Sequence, residues 1–258
     1  MSVTADSTPP GHRIDVVLVA GGLWHDIDFA RLELLKLLAE HDEFRVRVQP
    51  DYEDADSIAA AQILVSYTCD VRPSDRAQAT IRSWVEGGGR WVALHGTSSA
   101  LDMTPDGWAA PAQPLWTDTL GSQFIAHPPI APYRVDNAAP DHWLVAGIDS
   151  FEATDELYLN DYPDRAALVP LLHTEYNGPA RGFARSDWAD TDPHHLVMYV
   201  RPLGSGAVLY NTLGHCRGHY DMVPILDYYK NVDRCAWDLP VFSELLRRSL
   251  RWARGGEA

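Results

Sequence analysis

The stretch IDVVLVAGG, residues 14–22, constrains the fold more than any other part of this sequence. It is a continuous run of mainly β-branched residues closed by a glycine pair, which predicts a strand buried on both faces, as in a parallel sheet. The pattern then changes, because the apolar residues from Phe29 to Leu38 follow helical spacing. A buried strand followed directly by an amphipathic helix is typical of an α/β chain.

The alternation continues through the first half of the chain. Strands are predicted at 44–49, 63–67 and 90–95, and helices at about 57–61 and at 74–89, where Ser74 is a candidate N-cap. We therefore predict a three-layer, flavodoxin-like α/β fold with a mostly parallel central sheet. Ligands of such sheets bind outside the carboxyl ends of the strands, so residues 21–25, 67–70 and 95–99 are expected along one functional edge.

The second half adds further strands and one long helix. Strands are predicted at 133–136, 151–159, 168–176, 194–200 and 206–214, and a helix at about 240–254. Residues 102–130 are rich in Pro, Gly and Trp and show little periodicity, so we expect an irregular insertion that forms a wall of the site. With no repeat or linker to divide it, the chain is expected to form a disordered tail (1–12) and a single domain (13–256).

Charge narrows the class of ligand. The chain has 21 basic and 36 acidic residues, a net charge of −15, which argues against a nucleic acid or an anionic membrane as partner and favours a neutral small molecule. Its cysteines (Cys69, Cys216 and Cys235) are too few and too irregularly spaced for a disulfide framework. We expect a cytoplasmic protein, with a homodimer as the commonest assembly of such chains.

The corner WVALHGTSSA, residues 91–100, raises the main chemical question. In many α/β enzymes the turn after such a strand presents a nucleophile, but here it presents His95 and opens what is predicted to be a helix. Imidazole takes and gives protons near neutral pH, so His95 is predicted to be a base. Thr97 and the backbone N–H groups beside it are expected to bind hydroxyl groups of a ligand or an oxyanion.

Other candidate side chains lie at or near predicted strand ends: Trp24, His25, Asp155, Glu156, Tyr158, His173, Asn211, His215 and His219. A lone histidine at a strand end is more often structural than catalytic. Asp155 and Glu156 point to opposite faces of a regular strand, so only one is expected in the site. His215 and His219 have helical spacing and could share a metal, although the glutamate of an HExxH motif is missing.

Five segments resemble the ThuA-like family, which is named for a trehalose-utilisation protein and has a fold similar to class I glutamine amidotransferases. They are GGLWHD (21–26), GGGRWVALHGTSSA (87–100), GSQFIAHPP (121–129), HWLVAGIDSFEATDELY (142–158) and GSGAVLYNTLGH (204–215). In the amidotransferases the corner carries a cysteine nucleophile, whereas ThuA-like sequences carry histidine there, as this chain does. The resemblance therefore implies a carbohydrate role in place of glutaminase chemistry.

What the resemblance implies is an enzyme that cleaves or isomerises 3-keto-glycosides such as 3-keto-trehalose, made by a partner sugar 3-dehydrogenase. Cleavage would run by elimination and hydration, with His95 as base and Glu156 or Asp155 as acid or as a carboxylate that orients a histidine. His25 and His215 would stabilise the enolate, as donors or through a divalent metal, zinc or manganese. The alternative is a non-catalytic sugar-binding module that lacks the cysteine.

Two sets of residues complete the prediction. The metal candidates are His25, His95, His215 and His219. The substrate-binding candidates are Trp24, Thr97, Trp116, His127, Tyr158, His173 and Asn211. Aromatic rings are included among the latter because sugars stack on flat apolar faces.

Overall fold

The structure is a computed structural model that describes residues 13–223 and 225–255; the predicted disordered tail, 1–12, lies outside the described residues. The strands are β1 (Ile14–Gly22), β2 (Phe44–Gln49), β3 (Ile63–Cys69), β4 (Arg90–Leu94), β5 (Asp102–Thr104), β6 (Gly107–Ala109), β7 (Gln123–Ala126), β8 (Ala131–Asn137), β9 (Phe151–Asp155), β10 (Leu159–Asp161), β11 (Val169–Glu175), β12 (His194–Leu203) and β13 (Gly206–Asn211). The α-helices are α1 (Ile27–Leu38), α2 (Ala55–Ala59), α3 (Asp75–Glu86), α4 (Pro114–Leu120) and α5 (Pro240–Ala253).

A nine-stranded sheet with the order β2-β1-β3-β4-β13-β12-β11-β8-β9 organises the chain. The first five strands of this order are parallel to their neighbours. The remaining strands run antiparallel to theirs and extend the sheet on one side. The predicted α/β fold class is confirmed, and the parallel block contains the edge where a ligand site was expected.

The two faces of the sheet bury separate cores, which makes the fold three-layered. Along β1 successive side chains point to opposite faces. Val16 and Leu18 join the core under α1 and α5, whereas Val17 and Val19 join the core under α2, α3 and α4. A strand covered by helices on both faces has no polar positions, which explains the continuous apolar run in the sequence.

The segment 102–130 contains more regular structure than its sequence suggested. It holds the β5–β6 hairpin, helix α4 and strand β7, which pairs with β10. Elements of three to seven residues are too short to display a hydrophobic period, so sequence patterns do not reveal them. No helix within the described ranges is long and apolar enough to cross a bilayer.

Two boundaries differ from the prediction and both matter for the site. The strand expected at 151–159 is interrupted after Asp155, because that side chain accepts hydrogen bonds from the backbone of a separate loop. The corner after β4 is a single 3-10 turn, His95–Ser98, and does not open an α-helix. Thr97 stabilises this turn through its own hydroxyl, which donates to the carbonyl of Leu94 at 2.7 Å.

Candidate active site

Strained backbone marks the predicted functional edge. Trp24 after β1, Asp70 after β3 and His95 after β4 have φ angles of 75°, 56° and 42°. Residues other than glycine rarely adopt this left-handed region, and those that do are concentrated at functional sites. Three such residues at adjacent strand ends indicate that the edge is shaped for binding.

A cavity of about 320 Å³ opens at this edge. Its aromatic walls are formed by Trp24, Trp108, Phe124, Tyr158 and Phe183. Its polar lining consists of His25, Asp70, His127, Glu156, Arg181 and Arg217, and Met222 and Ile225 lie at the same cavity. Flat apolar walls with a few convergent polar groups are typical of a site for a small polar ligand such as a sugar.

Below the cavity lies what we call the histidine–glutamate cluster: His25, His95, His215 and Glu156, all buried. Nε2 of His25 lies 3.0 Å from Nε2 of His95 and 3.1 Å from Nδ1 of His215. The carboxylate of Glu156 lies 3.1 Å from Nδ1 of His215. One ligand atom from each residue lies within 4.8 Å of the others, so this cluster is the place where the described residues could hold a metal ion.

His95 is at the back of this cluster and is fully buried. Its Nδ1 lies 2.8 Å from the carbonyl oxygen of Thr212, and because a carbonyl only accepts, Nδ1 carries the proton. Its Nε2 therefore presents a lone pair, to which the hydroxyl of Tyr158 donates at 3.2 Å. His95 is not among the residues that line the cavity, and its predicted role as the base stays a prediction.

Glu156 and His25 are the two members of the cluster that line the cavity. Burial raises the pKa of Glu156, but the neighbouring His215 and His127 outweigh that effect and hold this pKa well below its usual range. Burial lowers the pKa of His25 to about 3. At neutral pH the floor of the cavity therefore presents an ionised carboxylate beside a neutral imidazole.

Asp155 lies next to Glu156, but its carboxylate binds the backbone of neighbouring segments. Its two oxygens accept backbone hydrogen bonds from Gly214 at 3.0 Å, His215 at 3.0 Å, Ala236 at 3.1 Å and Glu156 at 2.7 Å. Asp155 does not line the cavity, which fits the alternative prediction of a carboxylate that orients a histidine; its role as acid stays a prediction. It is a positioning residue that fixes the backbone of two cluster members.

His127 is better placed for proton transfer than its prediction as a substrate-binding residue implied. It lines the cavity, and 28% of its side chain is exposed. Its Nδ1 lies 2.8 Å from the carbonyl oxygen of Pro128 and so carries the proton. Its Nε2 is left with a lone pair 3.7 Å from an oxygen of Glu156.

Three predicted binding residues are part of the core. Trp116 is buried with its ring centroid 4.9 Å from that of Tyr52 and 5.0 Å from that of Trp91. Asn211 is buried, and its side-chain oxygen accepts from the backbone of Leu213. Neither these two residues nor the buried Thr97 lines the cavity, and their roles in substrate binding stay predictions.

His173 and His219 are also outside the site. His173 lies on β11, with its ring centroid 5.9 Å from that of His194, and does not line the cavity. Nδ1 of His219 donates to the carbonyl of Tyr229 at 2.7 Å, and the ring stacks on Tyr228. His219 is absent from the histidine–glutamate cluster because the chain around it forms turns in place of the helix that would have aligned it with His215.

Several lining residues were not predicted. Asp70 follows β3 on the edge that sequence reasoning identified, and this position was the signal that could have found it. Trp108 lies in the segment 102–130, which was expected to form a wall. Arg181, Phe183 and Arg217 come from loops whose residues follow no pattern.

Comparison with known proteins agrees with this architecture. A family model described as "ThuA: Trehalose utilisation" matches residues 15–231. Two structures described as ThuA-like proteins are similar. The one from Parabacteroides merdae has a TM-score of 0.61 and 16% identity, and the match covers 95% of this chain and 91% of that chain. The one from Bacteroides uniformis has a TM-score of 0.64 and 15% identity, and the match covers 98% of this chain and 95% of that chain. A β-galactosidase from Rahnella sp. R3 is similar with a TM-score of 0.55 and 12% identity, and the match covers 94% of this chain but only 31% of the β-galactosidase chain. No curated protein matches the chain.

Proposed function

We propose, since this chain belongs to the ThuA family of trehalose utilisation, that it is an enzyme that cleaves or isomerises 3-keto-glycosides such as 3-keto-trehalose. One observation carries the proposal: an aromatic-walled cavity in which a lone pair of His127 and the carboxylate of Glu156 lie 3.7 Å apart. This pairs a surface suited to a sugar ring with groups suited to proton transfer.

The chemistry follows from the ketone. A carbonyl at C3 acidifies the C2 proton, so a base removes that proton and its electron pair forms an enolate. When the enolate returns to the ketone, a double bond forms between C1 and C2, the bond from C1 to the glycosidic oxygen breaks, and that oxygen takes a proton. Addition of water across the double bond then completes net hydrolysis. Isomerisation begins with the same proton removal, but no bond at C1 breaks.

His127 is the residue that we assign as base. Its protonated Nδ1 is held by the carbonyl of Pro128, so Nε2 is free to accept the proton from C2. The carboxylate of Glu156 stabilises the imidazolium that results. The imidazolium can then deliver the proton to the departing oxygen, which would make one residue serve as both base and acid.

Further donors line the same cavity. The guanidinium of Arg217 lines it and can donate to an oxygen on which charge develops, and the hydroxyl of Tyr158 lines it while donating to His95. Burial keeps the pKa of Tyr158 well above its usual range, so its hydroxyl stays protonated and remains a donor. Preorganised donors of this kind stabilise an enolate without reorganisation during the reaction.

Acyl transfer receives no support from the thiol in this cavity. Cys69 lines it, but burial and the charge of Glu156 raise the pKa of this thiol well above its usual range. Since the thiolate is the nucleophile, a thiol that stays protonated is inert at neutral pH.

The ketone of the substrate must be installed by an oxidoreductase. The expected sugar 3-dehydrogenase would catalyse that step.

The proposal is tested by incubating the protein with 3-keto-trehalose and with trehalose and following both by NMR and mass spectrometry. We expect release of glucose, or an isomer of unchanged mass, from the ketone only. An unchanged 3-keto-trehalose, together with an unchanged panel of 3-keto-glucosides, would reduce the chain to a sugar-binding module and overturn the proposal.

A further inference from the structure

We infer that the histidine–glutamate cluster binds one divalent transition-metal ion at the floor of the cavity. The binding site stands on the geometry of the cluster. The catalytic use of the ion rests in addition on the proposed function. The two are therefore tested separately.

The spacing of the donor atoms suits a shared ion. Two donors bound about 2.1 Å from a tetrahedral ion are about 3.4 Å apart. The inward-facing nitrogens of His25, His95 and His215 include pairs at 3.0 and 3.1 Å. The oxygens of Glu156 lie 3.1 Å from His215, 3.5 Å from His95 and 3.7 Å from His25. All four donor atoms lie within 4.8 Å of one another, so the widest pair would have to close toward about 3.4 Å for all four to bind one ion.

The orientation of the rings favours ligation. The bond to Thr212 fixes the tautomer of His95 with its Nε2 lone pair inward, which is the arrangement that outer hydrogen bonds give to metal-bound histidines. Asp155 fixes the backbone of His215 in the same way that a second shell fixes a ligand. The outer nitrogens of His25 and His215 are buried without a protein partner among the described residues, so the inward-facing atoms carry the interactions of both rings.

The buried charge of Glu156 gives an independent reason to expect a bound cation. Glu156 is 5% exposed, and its nearest guanidinium, that of Arg217, is 3.8 Å away. Burying an ionised carboxylate beside three imidazoles costs free energy unless a cation compensates it. A metal ligand must be a neutral imidazole or an ionised carboxylate.

The donor set also limits which ion is bound. Three imidazole nitrogens and one carboxylate suit zinc, manganese or iron, whereas calcium and magnesium prefer oxygen ligands. His25 and Glu156 line the cavity while His95 and His215 lie behind them, so the ion would face the cavity on one side. A metal with an open face is typical of catalytic sites, where it polarises a carbonyl oxygen such as the ketone of the substrate.

The test uses full-length protein stripped with a chelator and dialysed against ZnCl₂ or MnCl₂ alone, followed by elemental analysis and thermal unfolding. We expect one ion per chain and a higher Tm in the presence of the ion that binds. Glu156→Gln and His215→Gln should weaken binding by at least about tenfold, a loss that even second-shell changes cause. His219→Gln is the matched control and should bind as the wild type does.

Several results would overturn the inference. Substoichiometric binding by the wild type without a change in Tm would do so even if the variants failed to fold. Equal binding by the cluster variants and by His219→Gln would place the ion elsewhere. Turnover that persists in verified metal-free protein would overturn the catalytic use of the ion. Stoichiometric binding with no conversion of any 3-keto-glycoside would instead overturn the proposed function and support the metal site.

Discussion

Nδ1 of His95 lies 2.8 Å from the carbonyl oxygen of Thr212, across the adjacent ends of β4 and β13. This bond holds the histidine with its proton outward and its lone pair toward the cavity floor. The corner after β4, where many α/β enzymes present a nucleophile, here holds an imidazole behind the cavity. His95 therefore lies behind the residues that line the cavity, with its Nε2 facing the histidine–glutamate cluster.

Replacing His95 tests this arrangement through stability. In His95→Ala the carbonyl of Thr212 loses its donor in a buried place, which should lower the free energy of unfolding by about 1–3 kcal/mol. His95→Asn can still donate to that carbonyl and should lose less. Urea denaturation of the chelator-treated proteins measures both, and equal losses in the two variants would refute the importance of the Thr212 bond.

His127 is expected to matter for turnover and not for stability. His127→Asn can keep the hydrogen bond to Pro128 but has no basic nitrogen, so kcat on a 3-keto-glycoside should fall by about 10²-fold or more. Its Tm should stay near that of the wild type because the side chain is partly exposed. The control is His194→Gln, at an exposed site on β12; a comparable fall in that variant would argue against a specific role for His127.

The two tryptophans predicted to stack on a sugar should behave oppositely. Trp24 lines the cavity, so Trp24→Ala should weaken ligand binding by up to about tenfold, the worth of one aromatic contact. Trp116 is in the core, so Trp116→Ala should cost about 3–5 kcal/mol of stability. Calorimetric titration with the substrate and denaturant unfolding separate the two effects. A stable Trp116→Ala with weakened binding would reverse our assignment.

His195 gives a pH dependence away from the site. Burial lowers the pKa of this histidine below its ordinary value of 6.5. As the pH falls below that value, His195 binds a proton in the unfolded chain but stays neutral in the folded chain. The free energy of unfolding therefore falls toward acid pH. Below about pH 6.5 this contributes up to about 1.4 kcal/mol per pH unit, until the pH reaches the lowered pKa of the folded chain. His195→Gln should show a shallower decline in urea unfolding; a decline of identical slope would count against this attribution.

The parallel block of the fold could be read from the sequence because its strands are buried on both faces and its helices are amphipathic. The continuous apolar run at 14–22 indicates a buried strand, and the helical spacing after Asp28 indicates an amphipathic helix. Placing β13 next to β4 could not be read in this way, because that pairing joins segments far apart in the chain. The convergence of His95 and His215 depends on it.

The candidate site could be predicted as a set of residue types but not as a geometry. The resemblance drew attention to His25, His127 and Glu156, all of which line the cavity. Which histidine faces the ligand depends on hydrogen bonds to single backbone carbonyls, and a linear pattern does not encode these. Trp116 shows the same limit, because a ring that stacks on a sugar and a ring that fills a core look alike in a sequence.

The central claim is that this cavity removes a proton from the carbon next to a sugar ketone. The most direct measurement is incorporation of solvent deuterium at C2 of a 3-keto-glucoside incubated with the protein in D₂O and followed by NMR. We expect incorporation, or release of a deuterated product, by the wild type and about 10²-fold slower exchange by His127→Asn. Exchange no faster than in the absence of protein, or equally fast in the variant, would contradict it.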